Sequence, residues 1–154
     1  MRAKIIALFI QDPKQGTIEK TSINMDKNGV KEDKFYRKDQ SRSILLTSTK
    51  SYEKAREQGI KINHGQLGEN ILLDANPCQL KEGTLLKIEN VTLEITKPCT
   101  ICKNLSYIDS KLPKILKKDR GIFAKIIKEG TINKNSTLST MLKTDYGLRK
   151  TDNQ

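Results

Sequence analysis

The sequence predicts a mainly β fold, a closed or partly open β-barrel with a few peripheral helices. Short apolar and β-branched segments recur along the chain and are separated by turns that contain glycine, asparagine or proline. Helical patterns are few, and neither a repeat nor a regular alternation of strands with helices is present. This pattern favours a barrel over a doubly wound sheet.

The predicted strands are short, and each is bounded by turn residues or by a change in periodicity. They are residues 3–10, 17–25, 43–46, 70–73, 84–88, 91–96 and 122–127. We expect the second strand to form a hairpin with the first, because residues 12–16 have turn chemistry. The clearest hairpin joins the fifth and sixth strands through Glu89 and Asn90. Gly130 is expected to begin a turn.

Two segments have the features of helices. Residues 47–48 are suitable N-caps for a helix that runs to about Gln58, and Gly59 would end it. Residues 104–118 have apolar side chains at helical spacing with an interruption at Pro113, so we expect a short broken helix there.

The chain is expected to form a single domain at residues 1–142, followed by a polar C-terminal tail at residues 143–154. Its length of 154 residues suits one domain that buries a core without disulfide bonds. Residues 31–42 are polar and aperiodic, which predicts a long loop of the kind that is often functional.

The composition restricts the partners of the protein. Charged residues make up 31% of the chain, and the formal net charge of +11 favours anionic ligands. The lysines are scattered, with little aromatic interleaving, which argues against a nucleic-acid partner. No segment has the roughly 20 consecutive apolar residues that cross a bilayer, and no signal sequence is recognised. We therefore expect a cytoplasmic protein without a membrane partner.

The chain contains three cysteines, Cys78, Cys99 and Cys102. A small odd number without a signal sequence argues for free thiols rather than a disulfide framework. Cys99 and Cys102 lie between a predicted strand and a predicted helix. Unpaired N–H groups at the start of that helix would favour the reactive thiolate, and basic neighbours such as Arg120 could add positive potential.

Local sequence leaves several interpretations of these thiols open. The C-x-x-C spacing permits a redox pair, although the βαβ setting of thioredoxin-like proteins is absent. A structural zinc site would require Cys78 and His64 to converge with the pair. The two remaining interpretations are a single working thiol with an incidental or supporting neighbour, and two small cysteines buried in the core; local sequence favours these two about evenly.

A second constellation is the segment Gly65-Gln66-Leu67-Gly68-Glu69-Asn70-Ile71. Its glycines let the backbone turn tightly or approach a ligand, and Glu69 and Asn70 add polar groups at the start of a strand. Such a loop could bind a polar ring or a phosphate through backbone N–H groups. On chemistry alone, we prefer a structural role to a ligand-binding role. The segment would then be an ordinary barrel corner, in which a buried Glu–Asn pair forms hydrogen bonds with the loop backbone.

The order of these motifs along the chain resembles the MOSC family. This family comprises the C-terminal domain of molybdenum-cofactor sulfurases and small stand-alone bacterial proteins. The resemblance rests on Gly29-x-x-x-Asp33, Gly65-x-Leu67-Gly68-Glu69-Asn70-Ile71, Leu80-x-x-Gly83-Thr84-x-Leu86-x-Ile88, Pro98-x-x-x-Cys102, and Arg120-Gly121-Ile122-Phe123-Ala124 with Gly130. It extends from the first strand to about Asn135.

The resemblance implies a β-barrel domain that handles sulfur or binds the molybdenum cofactor, molybdopterin, through a cysteine thiolate. By position, Cys102 is similar to the family's cysteine, which would carry a persulfide or ligate molybdenum, with Cys99 as an assistant. The implied cofactor-binding residues are Asp33, Arg42, Gly68, Glu69, Asn70 and Arg120. The implied partners are a small-molecule or phosphorylated cofactor ligand and a sulfur-donor or redox partner protein.

The sequence also departs from the family pattern. Many relatives have Gly-x-x-Gly-Asp-x-His near the start, whereas here Glu32 replaces the second glycine and Phe35 stands where the histidine is often found. No His-Gly-Gly motif follows. These departures argue against a histidine-dependent step and against tight cofactor binding.

The resemblance and the composition together leave three function classes. The first is a sulfur carrier, a sulfur transferase or a molybdenum-cofactor-dependent oxidoreductase that uses a cysteine thiolate in a barrel cleft. The second is a non-catalytic basic domain that binds RNA or a protein on the same scaffold. The third is a C-x-x-C thiol redox protein.

Overall fold

The computed structural model describes residues 1–100 and 103–142. Its strands are β1 (Arg2–Asp12), β2 (Gly16–Lys20), β3 (Ser22–Asp26), β4 (Gly29–Val30), β5 (Ile44–Ser48), β6 (Ile71–Leu73), β7 (Leu85–Ile88), β8 (Val91–Pro98), β9 (Ile122–Lys128), β10 (Gly130–Asn133) and β11 (Thr137–Thr140). Its α-helices are α1 (Thr49–Glu57), α2 (Lys103–Ile108) and α3 (Leu112–Ile115). A 3-10 turn, Gln40–Arg42, precedes β5. The predicted polar tail at residues 143–154 lies outside the described residues.

The barrel closes because β1 pairs along both of its edges. In the described part of the chain, hydrogen bonding runs β1–β11–β7–β8–β9–β5–β6 and returns to β1. One edge of β1 pairs with β6, while β11 and β2 pair with the start and the end of the other edge. The predicted mainly β barrel is thus confirmed.

A β-bulge explains the continuous apolar run in β1. The register with β6 shifts between Ile5 and Ala7. Ile5 faces the barrel interior before the bulge, whereas Leu8 and Ile10 face it afterwards. Ala7 and Phe9 lie in a second apolar cluster outside the barrel. Because the extra residue reverses the alternation, both faces of this strand are buried.

The second apolar cluster lies between the outer face of the barrel and the helices. Tyr52 and Ala55 of α1, Leu105 of α2 and Leu112 of α3 pack there with Leu72 of β6. Within residues 1–100 and 103–142, none of the helices has the length and apolarity needed to span a bilayer.

Helix α1 forms much as predicted and connects two parallel strands. Ser48 caps it by accepting a hydrogen bond from the N–H of Lys50, and Gly59 follows its end with a φ of +79°. The helix and residues 58–70 join β5 to β6, which pair in parallel. This crossover is a strand–helix–strand unit, which the sequence-based expectation did not include.

Several predicted ends of strands and turns were wrong, because pairing between strands that are distant in the sequence determines them. Residues 17–25 divide into β2, which pairs with β1, and β3, which pairs with β10 in a separate sheet of β10, β3 and β4. Gly130 begins β10 rather than a turn. Strand β11 was not predicted, because among its residues Leu138 is the buried apolar one.

The predicted break at Pro113 was also misplaced. The chain leaves the helical path between α2 and α3, at residues 109–111, and Pro113 lies in the first turn of α3. Proline is tolerated there because the first turn of a helix has no intrahelical partner for its N–H groups.

Strand β9 begins after a very close approach to β5. A Cβ atom at Gly121 would lie 2.8 Å from the carbonyl oxygen of Leu46 and 2.7 Å from Thr47 Oγ1. The Thr47 hydroxyl donates a hydrogen bond of 2.9 Å to the carbonyl of Arg120. The absence of a side chain at Gly121 therefore fixes the backbone position from which Arg120 projects.

We expect Gly121→Ala to lower the free energy of unfolding by about 1–3 kcal/mol, the usual cost of overpacking. The clash involves a backbone carbonyl of β5, which cannot move without disturbing the sheet. Urea unfolding measures this loss. The control is Gly130→Ala, whose Cβ would meet only the side chain of Val91, at 3.1 Å. Equal losses in the two variants would contradict the argument.

Candidate functional site

A cavity of about 370 Å³ opens on the outer face of the barrel. Leu45 of β5 and Phe123 of β9 form part of its wall, and both point away from the apolar interior. Gln11, at the end of β1, and residues of the 31–42 and 64–70 loops complete it. This volume lies within the usual range of small-molecule pockets, roughly 300–1,000 Å³.

The charges around the cavity favour an anion. Among the lining residues in the described ranges, Lys34, Lys38, Arg42 and Arg120 are cationic, and Asp39 is the carboxylate. Asp39 and Arg42 lie at the mouth, where Arg42 Nε is 3.9 Å from Asp39 Oδ2 and both side chains are substantially exposed. The excess positive charge attracts anionic ligands into the cleft.

Arg120 is the buried cation of the cavity. Its side chain is 7% exposed, and Nη2 donates a hydrogen bond of 3.3 Å to the carbonyl of Leu67. In the part of the chain that the structure describes, Nε and Nη1 have no partner. Burying unpaired N–H groups of a cation is costly, so this arrangement is typical of a site that is completed by a ligand.

Cys99 lies in the wall of the same cavity. Its side chain is 5% exposed and packs with Leu45 and Phe123. Its N–H donates to the carbonyl of Gly121 at 3.0 Å, one hydrogen bond beyond the β8–β9 ladder. Because Gly121 follows Arg120, the end of β8 and the start of β9 bring the thiol and the guanidinium to one wall.

Cys102, predicted as the principal thiol and metal ligand, lies outside the described residues. Its role stays a prediction. The described chain resumes at Lys103, where α2 begins.

Cys78 does not share the setting of Cys99. It does not line the cavity. Burial, assisted by the negative charge of Asp119 and by the nearby Cys99, raises the pKa of the Cys78 thiol to about 12. The thiol is therefore protonated near neutral pH, which makes it a poor nucleophile.

The zinc interpretation has no support in the described residues. Within residues 1–100 and 103–142, no group of three or more His, Cys, Asp or Glu side chains is placed to hold a metal ion. His64 instead packs edge-on against Tyr52, with 4.9 Å between ring centroids.

Asp33 and Asn70 hold the polar loop against the barrel. Asp33 accepts hydrogen bonds from the N–H of Gln11 at 2.7 Å and from Asn70 Nδ2 at 3.1 Å. Asn70 Nδ2 also donates to the carbonyl of Phe9, and its Oδ1 accepts from the N–H of Leu45. These contacts join β1, β5 and the loop that carries Arg42. Asn70 lines the cavity, whereas Asp33 lies behind it.

Glu69 is fully buried behind the 64–68 loop and is not among the lining residues. The hydroxyl of Tyr52 donates to Glu69 Oε2 at 2.6 Å and accepts from the N–H groups of Gly65 and Leu67. This contact set, the Tyr52–Glu69 clamp, fixes the loop whose Leu67 carbonyl holds Arg120. Its geometry is that of a barrel corner whose backbone N–H groups form hydrogen bonds with buried side chains.

The structure thus gathers Cys99, Arg42, Gly68, Asn70 and Arg120 around one cavity, and places Asp33 and Glu69 behind it. Sequence reasoning missed several residues, among them Gln11, Lys34 and Lys38, which line the cavity, and Tyr52, which anchors its loop. The only signal for Gln11 in the sequence was its position, as a polar residue directly after an apolar strand. The sequence pattern indicated only that Tyr52 lies on the apolar face of a helix.

Comparison with known proteins agrees with this architecture. The family model described as the MOSC domain matches residues 32–139. No curated protein matches the chain significantly. The YuaD protein of Bacillus subtilis superposes with a TM-score of 0.78 at 21% identity, over 90% of this chain and 94% of that chain.

Two further solved structures are similar. YiiM from Geobacillus stearothermophilus has a TM-score of 0.70 at 16% identity, over 92% of this chain and 76% of that chain. YiiM from Escherichia coli has a TM-score of 0.66 at 16% identity, over 93% of this chain and 71% of that chain. At these identities the likeness shows a shared fold.

The buried carboxyl of Glu69 predicts a pH dependence of stability. Burial raises the pKa of Glu69 above its ordinary value of 4.5, although the hydrogen bond from Tyr52 and the charge of Arg120 oppose this rise. The folded state then binds more protons than the unfolded state, so stability falls as the pH rises from about 4.5 to the folded-state pKa. We expect the stability of wild type to fall relative to that of Glu69→Gln over this range.

Chemical unfolding from pH 4 to pH 8 measures this slope, with the exposed Glu53→Gln as the matched control. The lowered pKa values of Asp26, Asp39, Asp119 and His64 give a slope of the opposite sign, since stability then rises with pH, but this slope is common to wild type and Glu69→Gln, so the difference between the two isolates Glu69. Parallel slopes for wild type and Glu69→Gln would refute the prediction.

The unpaired guanidinium predicts a second stability effect. In the Glu69→Gln background, we expect Arg120→Met to raise the free energy of unfolding by about 1–2 kcal/mol, because it removes buried donors that lack partners while no buried carboxylate loses its counter-charge. Denaturant unfolding measures the gain. In the same background, Lys38→Met, an exposed change at the mouth, should stay within about 0.5 kcal/mol of Glu69→Gln. A loss of stability on adding Arg120→Met would show that the guanidinium is already compensated.

Proposed function

The chain belongs to the MOSC domain family, and we propose that its cavity binds a phosphorylated, sulfur-bearing cofactor of the molybdopterin type. A cysteine thiolate of residues 98–102 serves in this proposal as the ligand to molybdenum or as the carrier of a persulfide. Arg120 and Arg42 pair with the phosphate, and Asn70 and Gly68 shape the adjoining wall.

One observation carries the proposal: a buried guanidinium with two unpaired nitrogen atoms lines the same cavity as the buried thiol of Cys99. An arginine suits phosphate because its planar fork matches the oxygen atoms bidentately. A thiol is the soft donor that suits sulfur and molybdenum chemistry. Together they accommodate a ligand with an anionic end and a soft end.

The residues present fit such a group. The volume of about 370 Å³ admits a compact ligand, and the cationic lining balances its negative charge. Arg120 would hold the phosphate where water is excluded, which strengthens the attraction. Cys99 would present its sulfur from the apolar side formed by Leu45 and Phe123. When bound, the cofactor supplies a redox-active metal with sulfur ligands.

The remaining residues orient the ligand and restrict water. The Arg42 guanidinium lies over the ring of Phe123, 5.7 Å from its centroid, and so covers the outer side of the Cys99 cluster. His64 is not among the lining residues, so the proposal assigns no step to a histidine. This agrees with the departure of the sequence from the family's histidine pattern.

The other function classes stay predictions. The basic binding domain is motivated by the net charge of +11, but the cations described above converge on the cavity. The C-x-x-C redox pair depends on Cys102, which lies outside the described residues.

The test is intact-protein and peptide mass spectrometry of chain purified from cells with active cofactor biosynthesis, together with assays of molybdenum, pterin and labile sulfur. We expect an adduct on the peptide that holds Cys99 and Cys102, or stoichiometric cofactor, with loss in Cys99→Ser or Cys102→Ser.

Cys78→Ser is the matched control and should retain the adduct, because Cys78 is not among the residues that line the cavity. A chain without adduct, metal, pterin or labile sulfur, in which neither Cys99 nor Cys102 alkylates faster than Cys78, would refute the proposal.

A further inference from the structure

Two aromatic side chains beside the cavity are exposed to solvent. Among the described residues, the exposed large apolar side chains are Met1, Phe35, Tyr107 and Leu142. Met1 and Leu142 belong to the terminal segments, which lie together because the carbonyl of Met1 accepts from the N–H of Thr140 at 3.0 Å. Phe35 and Tyr107 instead belong to segments that border the cavity. Exposed aromatic side chains gathered at one place indicate an interaction surface.

The exposure of Phe35 is fixed by its backbone. The residue lines the mouth of the cavity and is 51% exposed. Its N–H donates to Asp33 Oδ2 at 3.0 Å, and its carbonyl accepts from the N–H of Lys38 at 3.1 Å. Because Asp33 is buried, this turn is anchored to the barrel and holds the phenyl ring at the surface.

Tyr107 is held at the same mouth by helix α2. It lies three residues after Asn104, which lines the cavity. Residues three apart on a helix are neighbours on one face, so Tyr107 lies beside the mouth. Leu105 packs into the outer apolar cluster and fixes the helix against the barrel. At 83% exposure, the ring of Tyr107 contributes little to the core and is available to a partner.

Exposed lysines accompany these aromatic side chains. Lys34 and Lys38 are exposed residues of the cavity mouth, and Lys34 Nζ lies 5.1 Å from the centroid of the Phe35 ring. In the described part of the chain, neither lysine forms a salt bridge. We call the surface formed by Lys34, Phe35, Lys38 and Tyr107 the rim. Its unpaired positive charges are complementary to a surface rich in carboxylates.

The charges at the mouth favour one kind of partner. A second copy of the chain is disfavoured, because two positive rims of a chain with a net charge of +11 would face each other. Asp39 is also exposed at the mouth, where the closely spaced phosphates of RNA or of an anionic membrane would repel it. A folded protein can instead place carboxylates opposite the lysines and a hydrogen-bond donor opposite Asp39.

We propose that the rim is the docking surface for an acidic protein that covers the mouth of the cavity. Phe35 and Tyr107 are its aromatic anchors, and Lys34 and Lys38 pair with carboxylates of the partner. Anchoring aromatic side chains surrounded by polar and charged groups are the usual anatomy of a protein interface. The inference adds a partner to the proposed function, but it does not depend on which ligand the cavity holds.

The experiment is photo-cross-linking of the full-length chain in its native host, with p-benzoylphenylalanine in place of Phe35 or of Tyr107 and identification of the products by mass spectrometry. We expect both positions to cross-link to the same protein, through peptides rich in aspartate and glutamate. The control carries the photoreactive group in place of Lys87, an exposed residue of β7 that does not line the cavity. This control should not capture that protein.

Charge reversal tests the lysines of the rim. With the photoreactive group at position 107, Lys34→Glu combined with Lys38→Glu should lower the yield of the cross-link at least about tenfold, because like charges then face each other. Reversal of the acidic residues in the cross-linked peptide of the partner to lysine should restore the yield. The matched control combines Lys81→Glu with Lys87→Glu, which changes the net charge equally at exposed positions outside the cavity lining. It should leave the yield within about twofold, since distant surface charges are screened.

Different proteins at the two positions, no protein at either, or cross-links to RNA or lipid in place of protein would overturn the inference, as would equal losses in the two double variants. None of these results concerns the thiol, so a cysteine adduct or bound cofactor would leave the proposed function standing. Conversely, a shared acidic partner of a chain that fails the adduct and cofactor test would support the docking surface and remove the proposed function.

Discussion

Strand β1 pairs with β6 along one edge and with β11 and β2 along the other, so the ring of strands closes through it. Closure leaves no free edge in the ring and fixes the neighbours of β1 on both sides. Because both of its faces are buried, the same strand supports the barrel interior and the outer apolar cluster. Its last residues reach the cavity, where Gln11 is held by the backbone. The constraint that closes the barrel therefore also positions the site.

The functional side chains project from that frame through two layers of buried polar contacts. The Tyr52–Glu69 clamp holds the loop whose Leu67 carbonyl holds Arg120. The contact of Asp33 with Asn70 holds the loop that carries Arg42. A binding group that is already oriented loses less conformational entropy when the ligand arrives. The polar residues behind the cavity thus hold the ligand-binding side chains in position without contacting a ligand themselves.

Local signals in the sequence predicted local structure, whereas contacts between distant segments escaped them. The hairpin of β7 and β8 and the caps of α1 depend on neighbouring residues, and both were predicted. The contacts by which Asp33 and Asn70 hold the polar loop join residues that are 22 to 61 positions apart, so a sequence pattern shows the residues but not their roles. Strand β11 is largely polar, and its pairing with β1 and β7 determines its conformation. The order of the motifs along the chain still indicated the family, because the motifs that supply these distant residues occur in the order that is typical of the family.

The unpaired buried donors of the site indicate that it binds a ligand. Elsewhere the described residues leave no buried side-chain nitrogen or oxygen unpaired, yet Gln11 and Arg120 keep unpaired donors in one cavity. Solvent-excluded donors without acceptors lower stability, and the guanidinium of Arg120 keeps two of its nitrogen atoms in that state. Packing alone therefore gives no reason to retain a guanidinium beside the thiol of Cys99. A ligand that supplies the missing acceptors pairs these donors. Since the unpaired donors destabilise the free protein, pairing them contributes favourably to the free energy of binding an anion.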